Sequence, residues 1–260
     1  MGRIICFANQ KGGVGKTTSC VDLAAALQEK KKRVLVVDAD PQGNASSGLG
    51  ADKNARPALY DVLINGAALG DAIQQTPYAD VLPSNARLSG ATVELVDADE
   101  REYVLRRVLE PARERYDYIF IDCPPSLGLL TINALAAADA VLIPVQCEYY
   151  AMEGLTDLIR SMKLTKRSFN PELKTEGILL TMYDRRLSFS DQVAREIRKY
   201  FGTAVFQTVI PRNVRIAEAP SHSKPVQAYS RLSRGSEAYN RLAAELLRRE
   251  KIMEETNNAR

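Results

Sequence analysis

The sequence lacks long apolar runs, close cysteine pairs and a secretory leader pattern. No stretch approaches the ~20 consecutive apolar residues that a membrane-spanning helix needs, so we expect no membrane span. The four cysteines (Cys6, Cys20, Cys123 and Cys147) are scattered, which argues against a disulfide framework and favours reduced thiols. Residues 1–8 are too short for a signal peptide and show no small-residue cleavage site, so we expect a cytoplasmic protein.

The composition is that of an ordinary globular protein. Of the 260 residues, 45% are hydrophobic and 26% are charged, which excludes wholesale disorder, collagen-like repeats and coiled-coil rods. A chain of this length buries a sizeable core. The net charge of +3 indicates no class of partner by itself, so the distribution of charge along the chain is more informative than the total.

Short apolar runs alternate along the chain with longer helical patterns. The apolar runs show no polar alternation, which is typical of strands covered by helices on both faces of a parallel sheet. The pattern therefore predicts a doubly wound, mainly parallel α/β fold with right-handed crossovers. The predicted strands are residues 4–8, 34–37, 118–121, 140–145 and 178–182, and the predicted helices are residues 17–30, 129–138, 152–166 and 190–200.

The domain organisation is simple. We expect residues 1–250 to form a single domain and residues 251–260 to form a polar C-terminal tail that frays. Segment 48–90 has glycine and proline punctuation with weak periodicity. There the pattern favours only a short helix at residues 59–64 and a strand at residues 81–82.

The strongest chemical signal is the segment 9–18, which reads Asn-Gln-Lys-Gly-Gly-Val-Gly-Lys-Thr-Thr. It lies between the first predicted strand and the first predicted helix, which is the context that a phosphate-binding loop requires. Glycines let successive backbone N–H groups turn toward an anion at a helix N-terminus. Lys16 is placed to reach the β- and γ-phosphates of a nucleotide, and Thr17 offers a hydroxyl group to Mg²⁺.

Two other predicted strands end in carboxylates, namely Asp38 with Asp40 and, later in the chain, Asp122. Ligands bind at the carboxyl ends of the strands in open parallel sheets, so we expect these side chains near the phosphate loop. Asp122 follows four apolar residues, which is the pattern of an aspartate that holds Mg²⁺ through water. Asp38 is predicted to be either a metal-side group, also acting through water, or a carboxylate that organises its loop.

The phosphate loop resembles the deviant Walker A motif of the ParA/MinD ATPases. The usual first glycine is replaced by Gln10, and a second lysine, Lys11, precedes Gly12. In that family the extra lysine reaches the nucleotide of a partner subunit. The resemblance therefore implies that Lys11 acts in trans and that Gly12 lets two loops approach closely, although Lys11 taken alone would pass for a solvated surface lysine.

The resemblance covers nearly the whole chain and is specific for the ParA/Soj partitioning ATPases, because residues 122–135, 144–154, 210–215 and 218–222 agree with it in order and spacing. It implies a P-loop NTPase fold with ATP and Mg²⁺ as cofactors. It also implies that Asp40 orients the attacking water. Without the resemblance, Asn213 would be interpreted as a turn residue.

The resemblance and the motif together give a set of expected site residues. The expected catalytic residues are Lys11, Lys16 and Asp40. The expected ATP-binding residues are Lys11, Gly12, Gly13, Val14, Gly15, Lys16, Thr17 and Thr18 in the loop, with Pro211 and Asn213 bordering the adenine. The expected dimer interface contains Lys11, Gly12 and Glu148.

The C-terminal third is basic. Residues 177–241 contain eleven Lys and Arg against five Asp and Glu, which gives this window +6 and leaves the rest of the chain at −3. Nine of the eleven are arginine, which favours phosphate recognition, although a charge run of this kind is also compatible with a solvated face. No base-reading motif is evident, so we expect contacts to the DNA backbone. The expected contacts are Arg186 and Arg215, by resemblance, followed by Arg185, Arg198, Lys199, Lys224, Arg231 and Arg234.

The leading hypothesis from the sequence is an ATPase switch of the ParA type with weak basal activity. The resemblance implies an ATP-dependent homodimer that binds nonspecific double-stranded DNA of the nucleoid and releases it when a ParB-like activator stimulates hydrolysis. Three alternatives remain: a membrane switch of the MinD type, an iron–sulfur reductase of the nitrogenase iron-protein type, and a DNA-binding module with a purely structural nucleotide pocket. The polar C-terminal segment argues against a membrane partner.

Overall fold

Apolar, largely β-branched runs form one central sheet, as seen in a computed structural model of the chain. The structure describes residues 1–148 and 151–258, without the side chains of residues 153, 157, 254 and 256–258. The strands within these residues are β1 (Arg3–Phe7), β2 (Val34–Asp38), β3 (Gln74–Gln75), β4 (Asp80–Leu82), β5 (Tyr118–Asp122), β6 (Ala140–Gln146) and β7 (Lys174–Thr181).

The strand order across the sheet is β3-β4-β2-β5-β1-β6-β7. All neighbours pair in parallel except β3 and β4, which are antiparallel. The chain therefore builds outward from β1 to one side through β2 and β4, and then to the other side through β6 and β7. This reversal places the carboxyl end of β1 at the switch point, where open α/β sheets bind their ligands.

The helices are grouped around the sheet. In the described residues they are α1 (Lys16–Glu29), α2 (Asn44–Gly48), α3 (Leu59–Ile64), α4 (Leu69–Ala72), α5 (Leu88–Glu94), α6 (Val104–Leu109), α7 (Leu129–Ala137), α8 (Ala151–Ser168), α9 (Ser188–Phe201), α10 (Val214–Glu218), α11 (Val226–Tyr229) and α12 (Arg234–Asn258). None of these helices combines the length and the hydrophobicity that crossing a bilayer requires.

Helices cover both faces of the sheet, because successive residues of a strand point to opposite sides. In β1, Ile4 and Cys6 belong to the core on one face, whereas Ile5 and Phe7 belong to the core on the other. Helices α3, α6, α7 and α8 contribute to the first core, and α1 and α12 contribute to the second. The structure therefore confirms the predicted doubly wound, mainly parallel fold.

The structure differs from the sequence prediction in the weakly patterned parts of the chain. The helix at residues 59–64 and the strand at residues 81–82 are present as α3 and β4, but β3, α5 and α6 were not predicted. Strand β3 has two residues, and α5 and α6 have seven and six, so each is too short to show a clear hydrophobic period.

The last helix is longer than expected. Helix α12 continues through residues 251–258, where the sequence predicted a polar tail that frays. Lys251 and Glu255 lie one helical turn apart with Nζ and Oε1 at 3.9 Å, a spacing that supports helix in a polar segment. Residues 259–260 of the expected tail lie outside the described residues.

Both edges of the sheet are limited in length or covered. Strand β3 pairs with β4 through only two residues at one edge. At the other edge, isolated parallel bridges join Ile178 of β7 to Val205 and Tyr183, just after β7, to Pro211. Segment 205–211 therefore runs along the outer side of β7 and occupies part of its hydrogen-bonding capacity.

Candidate functional site: a nucleotide cleft beside an arginine cleft

The phosphate loop connects β1 to α1 at the switch point of the sheet. Gly13 and Gly15 adopt positive φ angles of 74° and 86°, a region that glycine enters without steric cost. Gly15 immediately precedes α1, whose first residue is Lys16. The glycines therefore set the loop conformation, and the helix N-terminus supplies backbone N–H groups to the same place.

Two side chains anchor this loop to the neighbouring strands. Asn9 Nδ2 donates to Pro144 O on β6 at 2.8 Å, and Asn9 Oδ1 accepts from Lys11 N at 3.0 Å. Thr181, at the end of β7, donates its hydroxyl to Val14 O at 2.8 Å. Neither Asn9 nor Thr181 was assigned a role from the sequence. Both fix the loop to the carboxyl edge of the sheet.

Lys16, Thr17 and Asp122 lie together at the base of the loop. Lys16 is buried, and its Nζ donates to Lys11 O at 3.0 Å. Burial lowers the pKa of Lys16, and the nearby Asp122 partly opposes this effect. Thr17 Oγ1 donates to Asp122 Oδ2 at 2.7 Å, which joins the loop to the end of β5. The structure thus brings together the three groups that the sequence predicted for phosphate and Mg²⁺.

Asp122 has one oxygen that is buried without a hydrogen-bond partner. Its side chain is fully buried, Oδ2 accepts from Thr17, and Oδ1 has no partner among the described residues. Burial raises the pKa of Asp122 well above its ordinary value, and the carboxylate of Asp38 raises it further. A buried carboxylate oxygen without a donor is costly unless a cation or an ordered water satisfies it.

Asp38 and Asp40 have different surroundings. Asp38 is fully buried; its Oδ2 accepts from Ser46 N at 2.8 Å and from Ser46 Oγ at 2.7 Å, and its Oδ1 accepts from Asp40 N at 3.2 Å. Burial raises the pKa of Asp38 to about 6, although the bonds from Ser46 act in the opposite direction. Asp38 therefore organises the loop after β2. Asp40 Oδ1 accepts from Gln42 N at 2.9 Å, and Asp40 borders the open cleft.

Lys11 and Gly12 lie at the outer surface of the loop. The Lys11 ammonium group forms an ion pair with Glu148 of the same chain, and both side chains are partly exposed. Gly12 is exposed, and a Cβ atom built there would have only the Pro125 Cβ, at 4.0 Å, within contact range. The structure thus places all three expected interface residues at an accessible face of the protomer.

A cleft of about 660 Å³ lies above the phosphate loop, hereafter the nucleotide cleft. Its lining includes Lys16, Thr17 and Asp40 at one end and the expected adenine neighbours Pro211 and Asn213 at the other. Asn213 also accepts from Arg215 N at 2.9 Å and so caps α10. Among the described residues, no three His, Cys, Asp or Glu side chains gather as a metal site.

Several cleft residues were missed from the sequence. Gln42 and Asn44 follow Asp40 in the same loop, so proximity to a predicted site residue could have indicated them. Thr181 and Met182 end β7 at the ligand-binding edge, and the rule that ligands bind at carboxyl strand ends could have found them. Ile210 and Arg212 flank the predicted Pro211, so proximity could have indicated them as well. The other lining residues without an assigned role are Pro125, Ile216, Ala217, Pro220 and Tyr239.

A second cleft of about 490 Å³, hereafter the arginine cleft, lies beside the nucleotide cleft. Five arginines line it, of which the sequence analysis named Arg185, Arg186 and Arg234 as DNA contacts. Arg212 and Arg241 belong to the basic window 177–241 but were not named as contacts. The acidic residues in its lining are Asp184 and Glu237. The two clefts share the wall Pro211, Arg212 and Asn213.

The other predicted DNA contacts lie outside the arginine cleft. Arg198 is partly buried, and its Nη2 donates to Gln207 O at 3.2 Å, so part of its guanidinium is engaged by the backbone. Arg215 Nη1 donates to Glu218 Oε2 at 2.8 Å. Lys199, Lys224 and Arg231 are exposed. The structure therefore does not bring all eight predicted contacts to one place.

Comparison with known proteins gives consistent matches. A family model described as an AAA domain matches residues 2–175. The chain is 53% identical over 253 residues to the chromosome partitioning protein ParA of Myxococcus xanthus, covering 96% of this chain and 89% of that protein. It is 54% identical over 249 residues to the sporulation initiation inhibitor protein Soj of Bacillus subtilis, covering 95% and 98%.

A solved structure shares the fold over almost the full chain. This is cobyrinic acid a,c-diamide synthase from Mycobacterium smegmatis with bound ADP and magnesium. The TM-score is 0.84 at 37% identity, with 96% of each chain covered. The match includes the region of both clefts.

Proposed function

This chain belongs to the ParA/Soj family of chromosome-partitioning ATPases, and from that premise we propose that it is an ATP-driven DNA-partitioning switch. In this proposal two protomers close over two ATP molecules, and the closed dimer binds double-stranded DNA without reading its sequence. A ParB-like activator protein stimulates hydrolysis and thereby releases the DNA. The observation that carries the proposal is the arginine cleft, which shares a wall with the nucleotide cleft.

The residues present fit Mg²⁺ and ATP. The unpartnered, buried Oδ1 of Asp122 lies next to the Thr17 hydroxyl group, and no all-protein metal cage is found among the described residues. That combination suits Mg²⁺, which keeps several waters and is held by few protein groups together with phosphate oxygens. When bound, Mg²⁺ neutralises charge on the β- and γ-phosphates. Thr17 would hold it directly and Asp122 through water.

The remaining loop residues bind and orient the triphosphate. Backbone N–H groups around Gly13 and Gly15 surround the phosphates, and the N-terminus of α1 favours their negative charge. Lys16 exchanges its bond to Lys11 O for the phosphate oxygens, so its buried ammonium group gains an anionic partner. Replacement of Lys16 by alanine is expected to abolish ATP binding.

Asp40 is proposed to orient the attacking water. It lies at the cleft wall and is almost completely buried, and its Oδ1 is fixed by the backbone N–H of Gln42. A carboxylate held in this way positions a water without moving during the reaction, and phosphoryl transfer depends mainly on such positioning.

Lys11 is proposed to act on the nucleotide of the partner protomer. In this structure its charge is balanced by Glu148 of the same chain, so closure of the dimer requires that ion pair to open. The pair is partly exposed and therefore weak, so triphosphate oxygens compete with Glu148 effectively. This fits a loop that is accessible at Gly12.

The proposal is tested by measuring DNA binding with ATP, with ADP and without nucleotide. We expect tight binding only with ATP. Asp40→Ala should keep ATP binding, lose hydrolysis by two or more orders of magnitude, and remain on DNA as an ATP-bound dimer. Normal hydrolysis by Asp40→Ala would overturn the assignment of the water-orienting carboxylate, and equal DNA binding in all three nucleotide states would overturn the switch itself.

The MinD-type alternative is separated by a membrane assay. Exposed Ile252 and Met253 lie on the last helix, but Lys251 and Glu255 flank them, and this arrangement lacks a continuous apolar face. We therefore expect no ATP-dependent co-sedimentation with anionic liposomes. Co-sedimentation that persists with ATP in the absence of DNA would favour the membrane switch instead.

A further inference from the structure

A short strip of chain, residues 181–186, passes from the nucleotide cleft into the arginine cleft. Thr181 and Met182 line the nucleotide cleft, and the next four residues line the arginine cleft. Along the strip, the peptide bond between Met182 and Tyr183 joins the part that lines the nucleotide cleft to the part that lines the arginine cleft.

Hydrogen bonds attach the strip to the phosphate loop at one end and to the shared wall at the other. Thr181 Oγ1 donates to Val14 O at 2.8 Å. Tyr183 N donates to Ile210 O and Arg212 N donates to Tyr183 O, each at 3.0 Å. The strip and the wall Pro211–Asn213 therefore form one hydrogen-bonded unit in contact with the loop that binds phosphate.

Met182 is held in an unfavourable backbone conformation within this strip. Its φ angle is +50°, in the left-handed region that residues with a side chain rarely adopt. Such a conformation persists only while the surrounding structure holds it, and it is typical of segments with two arrangements. Met182 also lines the cleft that is proposed to hold the nucleotide.

The strip carries a carboxylate that covers one of the cleft arginines. Asp184 Oδ1 accepts from Arg186 Nε at 3.0 Å and from Arg186 N at 3.0 Å, and Asp184 Oδ2 accepts from Arg186 Nη2 at 2.7 Å. The Arg186 guanidinium is otherwise exposed, so a neighbouring phosphate group would compete with Asp184 for the same N–H donors. In this arrangement Asp184 cancels the charge of Arg186, so the pair offers no net positive charge to a DNA phosphate.

We propose that Asp184 neutralises Arg186 in the arrangement described above and that ATP, by displacing the strip 181–186, releases this arginine to the DNA backbone. The inference rests on the proposed function and names the regulation of its DNA site. It makes Asp184 a positioning residue, since it acts through Arg186 and touches neither nucleotide nor DNA.

The arginine cleft contains a matched control for this role. Glu237 Oε1 accepts from Arg241 Nη1 at 2.8 Å, so Glu237 also neutralises one cleft arginine. Glu237 belongs to α12 and lies outside the strip. Asp184→Asn and Glu237→Gln therefore remove the same charge from the same cleft, but only the first removes it from the strip 181–186.

The experiment measures the affinity of a short duplex for the wild type and both variants at low salt, with ATP and without nucleotide. We expect Asp184→Asn to raise the nucleotide-free affinity by about fivefold, as for one partly exposed ion pair, and to leave the ATP-state affinity nearly unchanged. Glu237→Gln is expected to raise both affinities by the same factor. The ratio of ATP-state to nucleotide-free affinity thus falls only in Asp184→Asn.

The other outcomes overturn the proposal in distinct ways. Equal gains in both states for both variants would make Asp184 an ordinary nearby charge. A loss of affinity in Asp184→Asn would mean that it prearranges Arg186 for binding. If the wild type binds DNA equally with and without ATP, the proposed function itself fails, whatever the affinities of the two variants.

Met182→Gly supplies a second measurement, since glycine adopts the same φ angle without strain. At ATP concentrations that saturate this variant we expect a reduced affinity ratio, because the strip no longer responds to occupancy of the nucleotide cleft. An unchanged ratio in both Met182→Gly and Asp184→Asn would exclude the strip as the connection between the clefts.

Discussion

At the scale of single residues, Asp22 is a buried carboxyl group that no motif indicated. It lies on α1, and its Oδ1 accepts from Val226 N at 2.8 Å, while its backbone O accepts from Gln227 Nε2 at 2.9 Å. Burial raises the pKa of Asp22 to about 7, against which the bond from Val226 acts only in part. Asp22 therefore links the nucleotide-binding helix to segment 225–229 near neutral pH.

The first prediction follows from this pKa. In the unfolded chain Asp22 ionises near pH 4, whereas in the folded chain it keeps its proton up to about pH 7. The folded state therefore binds more protons between these values, and its contribution to stability is lost as the pH rises from about 4 to about 7. Asp22→Asn retains an acceptor for Val226 N and cannot ionise, so we expect it to be more stable than the wild type at pH 8, by up to about 4 kcal/mol.

Urea unfolding at pH 5 and pH 8 checks this expectation. The gain in the unfolding midpoint should be larger at pH 8 than at pH 5. The exposed Asp71 provides the control, since Asp71→Asn should shift the midpoint little at either pH. An Asp22→Asn variant that loses stability at pH 8 would show that the charged carboxylate is the form the fold requires.

Residue chemistry at the phosphate loop could be predicted from the sequence because it is local. Gly13, Gly15, Lys16 and Thr17 act through their own backbone angles and side chains, within a segment of ten residues. The partner of Lys11 in this structure, Glu148, lies far away in the sequence. Its contact depends on how β6 ends, and the resemblance indicated only that it belongs near an interface.

At the scale of elements, two adjacent exposed glycines of the phosphate loop differ in whether they tolerate a side chain. Gly12 has no positive φ angle, and a Cβ atom there would meet only Pro125 Cβ, at 4.0 Å. Gly13 has open space around it but a φ angle of +74°. A larger residue is therefore compatible with the protomer at position 12, whereas at position 13 it strains the loop itself.

The second prediction uses this difference to isolate dimer formation. Gly12→Val should bind ATP within about threefold of the parent and remain a monomer in sedimentation, because the added side chain separates two facing loops. The parent protein for these variants should carry Asp40→Ala, so that ATP hydrolysis does not obscure the oligomeric state. Gly13→Val is the contrasting variant and should lose ATP binding. A dimer of Gly12→Val with saturating ATP would refute close approach of the two loops.

Long elements were predictable, whereas most short ones were not; α3 and β4 are the exceptions. The strands and helices with several turns or a continuous apolar run, such as β6 and α1, have counterparts in the sequence pattern. Helices α5 and α6 have fewer than eight residues each, so tertiary packing rather than periodicity decides their position. Helix α12 continues where the sequence predicted a fraying tail, because charge pairs extend a helix without an apolar face.

At the scale of the whole molecule, the nucleotide cleft and the arginine cleft open side by side, whereas sequence statistics alone gave only an excess of arginine in residues 177–241. The cleft combines arginines from the end of β7, from the segment before α10 and from α12. No window of the sequence shows such an assembly, because its members are separated by up to 56 positions. The sequence therefore showed the excess of positive charge but not the cleft in which the arginines gather.

The third prediction concerns the salt dependence of DNA binding by the ATP-bound dimer. If that dimer neutralises about six phosphates, the logarithm of the binding constant should fall against the logarithm of salt concentration with a slope of about −5. Arg212→Ala and Arg241→Ala should each reduce the steepness by about 1 or 2 per dimer. Fluorescence anisotropy with duplexes of unrelated sequence measures the slope. A slope near zero would exclude backbone contacts as the basis of binding.

The limited edges of the sheet restrict how this molecule can polymerise. One edge offers a two-residue strand, and segment 205–211 runs beside the other, so neither presents the long unpaired ladder that adds chains strand to strand. Any filament of this protein would therefore grow through side-chain surfaces, and it would not bind amyloid dyes.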